Sequence, residues 1–232
     1  MEEITITQNG FNKKFMVYLY HKLKDRFSFL TPDIEMVQKD CCATVSCKAQ
    51  QGYCPYLRKF ATEHIADIIA IGYKYDFLNK RLKLPLLNVK ERHILLTGLV
   101  SADYKEDKRY ILRQISGMRD FSLDGIYYFK LQGLIERWVG VADFVPVDMG
   151  VASLNGFLEF LTQDGQGKLF IKSGKVYDEE YRLLTKSKLI GDIDVLGEVL
   201  LYNAQKVYCL GETDKDVVRF LKAYYHDKVA FC

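Results

Sequence analysis

Residues 40–55 read DCCATVSCKAQQGYCP and hold four of the chain's six cysteines, at 41, 42, 47 and 54. Such a cluster is a metal knuckle, a disulfide clasp, a redox pair or a strand that carries thiols. Structural zinc takes its ligands in closely spaced cysteine pairs. Cys42 and Cys47 have four residues between them, and no second pair matches them. The alternation of side chains favours the strand. In extended backbone Cys41, Ala43, Val45 and Cys47 share one face, and Cys42, Thr44, Ser46 and Lys48 share the other. Cys41 and Cys47 then lie roughly 20 Å apart, at about 3.3 Å per residue, and neither share an ion nor bond to each other. The expectation is packed thiols, because cysteine behaves mostly as a small buried hydrophobe. Metal and redox roles are the alternatives. Cys54 stands apart. It precedes Pro55 at an expected helix start, where the helix N-terminus lowers a thiol's pKa and raises its reactivity. Cys54 is the candidate reactive thiol, against the plainer reading of an ordinary first-turn residue.

Outward from this stretch the chain reads as α+β. EEITIT alternates as a short strand, residues 11–30 have helical spacing, and residues 35–48 alternate again, so a strand-helix-strand unit opens the fold. Residues 55–82 form a long helix with Leu57, Phe60, Ala61, His64, Ile68, Ile71, Tyr75, Leu78 and Leu82 on one stripe. Asn88 caps a helix through KERHILLTGLVSA, and YKEDKRYILRQISGM forms another. Ser122 caps a longer helix through LDGIYYFKLQGLIERWVGVADFV, and SLNGFLEFLTQ is helical in turn. KLFIKSGKVYDEE is a hairpin turning at Ser-Gly. DIDVLGEVLLYNA is a helix. KVYCL and KVAFC flank a helix capped by Thr213, with Asp216 completing a capping box, and make a small βαβ unit. The domain reading is an N-terminal α+β region over 1–88 and a helical then α/β region over 89–232, or one continuous domain.

At 49% hydrophobic and 27% charged, the 232 residues have a globular composition, well away from disorder. The N-terminus MEEITITQNG is acidic and polar where an export signal would be basic then apolar, so none is expected. No apolar run approaches the roughly 20 residues of a membrane span. With free thiols, this points to a cytoplasmic protein. The net charge is only +3. Residues 74–119, however, hold eleven Lys/Arg against five Asp/Glu, and a surplus of this kind attracts phosphates or other anions. Within it Lys105, Arg109 and Arg113 follow one another at i+4 and share a helix face. Lys108 is beside them, Glu106 and Asp107 dilute the field, and Tyr104 and Tyr110 offer rings for stacking on bases. The plainer reading is a solvated helix face.

Other chemistry is sparse. None of His21, His64, His93 and His226 has metal-ligand spacing, and His64 reads as a core-edge histidine. Asp192 and Asp194 are a weak divalent-metal pair, or two carboxylates that complement a helix N-terminus. DGQGK at 164–168 lacks the rest of a phosphate loop and runs into a strand. No nucleophile elbow, kinase or dinucleotide fingerprint occurs. No metal and no cofactor is expected.

In the C-terminal part, EDKRYILRQI, YYFKLQGLIERWVGVADFV, FLEFLTQ, GKVYDEE, IGDIDVLGEVLLYNAQKVYCLGE and DKVAFC follow in an order that resembles the YtxC-like proteins of spore-forming Firmicutes. The resemblance covers about residues 90–232. It implies a cytoplasmic bacterial protein linked to sporulation, and it brings no catalytic residues to this chain. The expectation is a non-enzymatic protein acting through protein contacts. The alternatives are a nucleic-acid or anionic-ligand binder using Lys105, Arg109 and Arg113, and a small-molecule enzyme with an unfamiliar site near Cys54.

Overall fold

A computed structural model describes residues 2–10, 13–27, 33–50, 52–191 and 194–232. In chain order it begins with β1 (Glu2–Asn9), α1 (Lys14–Phe27), β2 (Asp33–Lys39), β3 (Cys42–Ala49) and α2 (Cys54–Asp67). A π-helical turn (Ile68–Tyr73) leads without a break into α3 (Lys74–Arg81), and α4 (Val89–Ile115) follows. Next come β4 (Phe121–Ser122), the single turn α5 (Leu123–Gly125), a second π segment (Ile126–Lys130), α6 (Gln132–Phe144) and α7 (Val151–Gln163). The chain ends with β5 (Lys168–Lys172), β6 (Lys175–Tyr177), α8 (Val195–Tyr202), β7 (Lys206–Leu210), α9 (Lys215–Tyr224) and β8 (Val229–Phe231). This is the α+β architecture expected from the sequence. No helix among the described residues is long and apolar enough to cross a membrane.

The chain divides into two compact units, each made of two segments. Unit 1 takes Met1–Lys74 and Lys105–Gly140, and unit 2 takes Tyr75–Tyr104 and Val141–Cys232. A boundary at 88/89 therefore falls inside unit 2.

Unit 1 contains a sheet of order β2-β3-β1-β4, antiparallel except for the β1–β4 pair. Ile4 and Ile6 of β1 and Ala43, Val45, Cys47 and Ala49 of β3 are buried, while the alternate residues of both strands are more open. The face expected for Ala43, Val45 and Cys47 is thus the core face. Residues 35–48 are not one strand, however. Asp40 adopts a left-handed conformation (φ 49°), which aspartate tolerates, and the chain folds back through Asp40-Cys41. Cys41 sits in this turn, exposed, and leaves the row it was expected to join. Among the described residues no group of His, Cys, Asp or Glu could hold a metal ion, and all six cysteines are free thiols.

The long helix differs from a plain 3.6-residue pattern in one place. Leu57, Ala61, Ile65 and Ile69 are buried at steps of four, and the next members are Lys74, Leu78 and Leu82. The step from 69 to 74 is five, and the Lys74 N–H donates to the Ile69 carbonyl, the i+5 bond of the π turn. The expected stripe put Tyr75 in this row; the π turn puts Lys74 there. At the turn Gly72 lies against the Phe15 ring, where a Cβ would have no room.

Three further boundaries move. Residues 89–115 are one helix, because nothing around Ser101–Tyr104 breaks it; Asn88 and Glu91 close a reciprocal capping box at its start, each bond 2.9 Å. Ser122 does cap, accepting from the Gly125 N–H at 3.1 Å, but the expected long helix is interrupted at Leu131 (φ −114°, ψ 25°). At α9 the cap is Asp214, not Thr213: its carboxylate accepts from the N–H groups of Asp216 and Val217.

Unit 2 contains the sheet β6-β5-β7-β8, with β5, β7 and β8 parallel and β6 returning from β5. The hairpin turns at Ser173 and Gly174, both at positive φ, as its Ser-Gly suggests. β7, α9 and β8 form the expected βαβ unit. Leu169, Ile171, Val176, Val207 and Cys209 are buried in this sheet, and Phe170 stacks between Tyr181 and Tyr208. The Lys228 ammonium closes α7 by donating to the carbonyls of Thr162 and Gln163, at 2.8 and 2.9 Å.

Burial pushes the Cys47 thiol up to about 12, so its thiolate is scarce at neutral pH. With a thiol reagent such as Ellman's, Cys41 and Cys232 react at once in the native protein. Cys47, Cys54 and Cys209 react only on unfolding. A native protein that gives the full denatured count without delay contradicts the buried strand face.

Candidate anion-binding face

The C-terminal half of α4 belongs to unit 1, and its side chains divide into three kinds. Asp107 points into the core, 2% exposed. Its Oδ2 accepts from the Lys74 ammonium at 2.9 Å and from the Trp138 indole N–H at 2.8 Å, and the Arg137 guanidinium lies 3.7 Å from Oδ1. Lys74 and Trp138 are fully buried too. Lys108 turns to α2, where its ammonium meets Glu63 at 2.9 Å and the buried Asp67 at 2.8 Å. Burial opposes the charge on Lys108, but Asp67 and Glu63 outweigh it and hold this lysine above its usual range. His64, half-buried, packs on Phe60 and Tyr18 with its ring nitrogen 3.7 Å from Asp67, the core-edge position expected for it.

Lys105, Arg109 and Arg113 are the third kind. All three are exposed, on one i+4 row. Arg113 and Arg137 lie over Tyr110, 6.0 and 5.0 Å from its ring centre, so a stacked guanidinium from α6 extends the row. Leu112 and Ser116 follow Arg109 and Arg113 by three residues and are their neighbours on the helix surface. With Ile115, Gly117 and Met118 they form one wall of an open groove of ≈ 370 Å³. Pro55, Arg58, Lys59, Thr62 and Glu63 of α2 form the other. Tyr53 and Tyr56 at the start of α2 are exposed, Tyr56 by 69%.

The consequence is electrostatic. Unit 1 has seventeen Lys/Arg against thirteen Asp/Glu, a net +4, while unit 2 has sixteen against seventeen. Asp107 and Asp67 are paired with internal cations, so Asp107 does not dilute the outer field as its place in the sequence suggested. On the exposed face Glu106 is left among Lys105, Arg109 and Arg113. Arg58, Lys59 and Arg137 carry no signal in the sequence; only the antiparallel run of α2 and α4 brings Arg58 and Lys59 to this groove.

Other candidates lie elsewhere. Cys54 is the first residue of α2 and is 2% exposed, so a reagent reaches its sulfur only when this helix end opens. Asp194 caps α8 by accepting from Leu196 and Gly197; Asp192 lies outside the described residues. The DGQGK loop packs on residues 203–205: Gly165 lies against the Ala204 carbonyl, with no room for a side chain, and Gly167 accepts from the Gln205 N–H. In unit 2 Glu198 accepts from the N–H and hydroxyl of Ser187 at 2.6 and 2.7 Å, and both residues are sealed from solvent. That pair holds the loop before α8 and has no access for a substrate.

Comparison with protein-family models, with curated proteins and with solved structures finds no match.

Desolvation raises the Glu198 pKa against the pull of the Ser187 hydrogen bonds. The folded state therefore keeps this proton to a higher pH than the unfolded chain, and stability falls as pH rises from the unfolded carboxyl pKa through the folded one. Glu198→Gln keeps an acceptor for Ser187 without the charge. Thermal denaturation across pH is expected to show the variant gaining on the wild type at pH 8 relative to acidic pH; parallel curves refute this.

Proposed function

We propose that this chain is a non-catalytic binding protein that acts through contacts with a partner, and that the partner surface met by unit 1 is anionic. The observation that carries this reading is the disposal of charge on α4. Asp107 and Lys108 are paired inwards, and Lys105, Arg109 and Arg113 are turned outwards beside a groove that adds Arg58 and Lys59. A row of cations with few local acids raises the concentration of anions near it and steers them in. The resemblance to YtxC-like proteins supports a role in sporulation for this binding.

A nucleic acid is the reading that the tyrosines favour. Tyr53 and Tyr56 are exposed at the start of α2, and Tyr110 is stacked among guanidinium groups. Aromatic side chains beside backbone-neutralising cations suit unpaired bases. A protein partner is favoured by unit 2, where Phe144, Val147 and Val151 are 90%, 69% and 47% exposed along one short stretch.

Titration of labelled single- and double-stranded oligonucleotides and of an acidic polypeptide, each at two salt concentrations, tests the proposal. At least one anion is expected to bind, more weakly as salt rises. Replacing Lys105, Arg109 and Arg113 together by alanine lowers the salt slope on duplex DNA by roughly 0.9 for each phosphate that is no longer neutralised. Absence of binding at low salt, or a triple variant that binds as well as the wild type, overturns it.

A further inference from the structure

We infer that two copies of this chain associate through the free edge of β2, continuing the unit 1 sheet across a two-fold axis.

The phase of the backbone hydrogen bonds decides which groups of β2 face outward. The Gly10 N–H donates to the Cys41 carbonyl at 2.6 Å, so Cys41 and every second residue after it bond towards β1. Cys42, Thr44, Ser46 and Lys48 therefore bond towards β2, to the residues opposite them: Lys39, Val37, Glu35 and Asp33. The N–H and C=O groups of Ile34, Met36 and Gln38 are left to point away from β3. Among the described residues β2 pairs with no other strand. Its edge is roughly 20 Å of extended backbone.

Strand edges that stay single are protected by proline, by a bulge or by charges that repel a neighbour. DIEMVQK has no proline or glycine, and its register with β3 runs unbroken from Asp33 to Lys39. Its charges complement themselves. An antiparallel copy centred on Met36 sets Met36 opposite Met36, Ile34 opposite Gln38, and Asp33 opposite Lys39. The three outward residues are the ones that would exchange hydrogen bonds in this register, and both strand ends carry an opposite-charge pair. Val37, 43% exposed, meets the aliphatic stem of Glu35 on the open face. The one like-charge approach, Glu35 to its own copy, is a diagonal of about 7–8 Å. An extended peptide from another protein would gain the backbone bonds alone; the second copy gains the charge pairing as well.

Sedimentation of the full chain from low micromolar to submillimolar concentration tests this. The mass is expected to rise from 26.9 kDa towards its double. Met36→Pro removes an N–H that points outward, so the hairpin folds while the edge is blocked, and this variant stays at the monomer mass. Lys39→Glu, which sets like charges at both strand ends, weakens association. A readout on the wild type alone guards against a misfolded variant. The amides of Ile34, Met36 and Gln38 exchange slowly in concentrated protein and fast in dilute protein, whereas that of Val37 is protected in both. A monomer at the highest concentration, a dimer indifferent to Met36→Pro, or edge amides insensitive to concentration overturns the inference.

Discussion

Asp107 carries a carboxylate into the interior of unit 1, and the need to answer that buried charge constrains the segments around it. A lone carboxylate out of water costs several kcal/mol or more. Lys74, Trp138 and Arg137 supply the cation, the neutral donor and the outer guanidinium. Lys74 reaches the core because the π turn before it advances the buried row by five residues instead of four. Tyr73, at the end of the same turn, donates its hydroxyl to Asp124 at 2.9 Å, and its ring meets Tyr127 in the second π segment. Burial and the Asp124 carboxylate both push the Tyr73 hydroxyl well above its usual range, so it remains a donor. The first π turn thus sets both Lys74 against the buried Asp107 and Tyr73 against the half-buried Asp124.

The outer face follows from the inner one. With Asp107 turned inwards, the helix places positions 105, 109 and 113 towards solvent. With Lys108 drawn to Asp67 and Glu63, α2 and α4 lie side by side and the groove forms between them. The charge of unit 1 is therefore not scattered: Asp107, Asp67 and Glu63 pair with Lys74 and Lys108, and Lys105, Arg109 and Arg113 are exposed on one row.

Much of the fold is legible in the sequence because most segments agree with simple periodicities. EEITIT, the Ser-Gly hairpin, the capped helix at Asn88 and the final strand-helix-strand run lie where the pattern puts them. The misses have physical causes. The turn at Asp40-Cys41 lacks glycine, asparagine or proline, so the alternation of the sequence runs straight through it. The π turn is invisible to a 3.6-residue template, and it decides whether Lys74 or Tyr75 is inside. The cationic row is legible from its i+4 spacing. The fate of Asp107 is not, because its partners stand 33 and 31 residues away along the chain. Cys54 is legible as a helix-start residue, but its burial depends on packing that no local pattern reports.

The buried pair of Lys74 and Asp107 is the centre of this arrangement, and a double-mutant cycle addresses it directly. Asp107→Asn removes the carboxylate that the buried Lys74 ammonium meets at 2.9 Å and is expected to cost about 3–5 kcal/mol of unfolding free energy. Lys74→Met takes the buried cation from the carboxylate and leaves it Trp138 and the outer Arg137 guanidinium. The combined variant, which leaves neither charge unanswered, is expected to lose less than the two single losses together, by about 1 kcal/mol or more. Strictly additive losses, or single variants as stable as the wild type, would contradict the pairing on which the orientation of α4 and its cationic face depends.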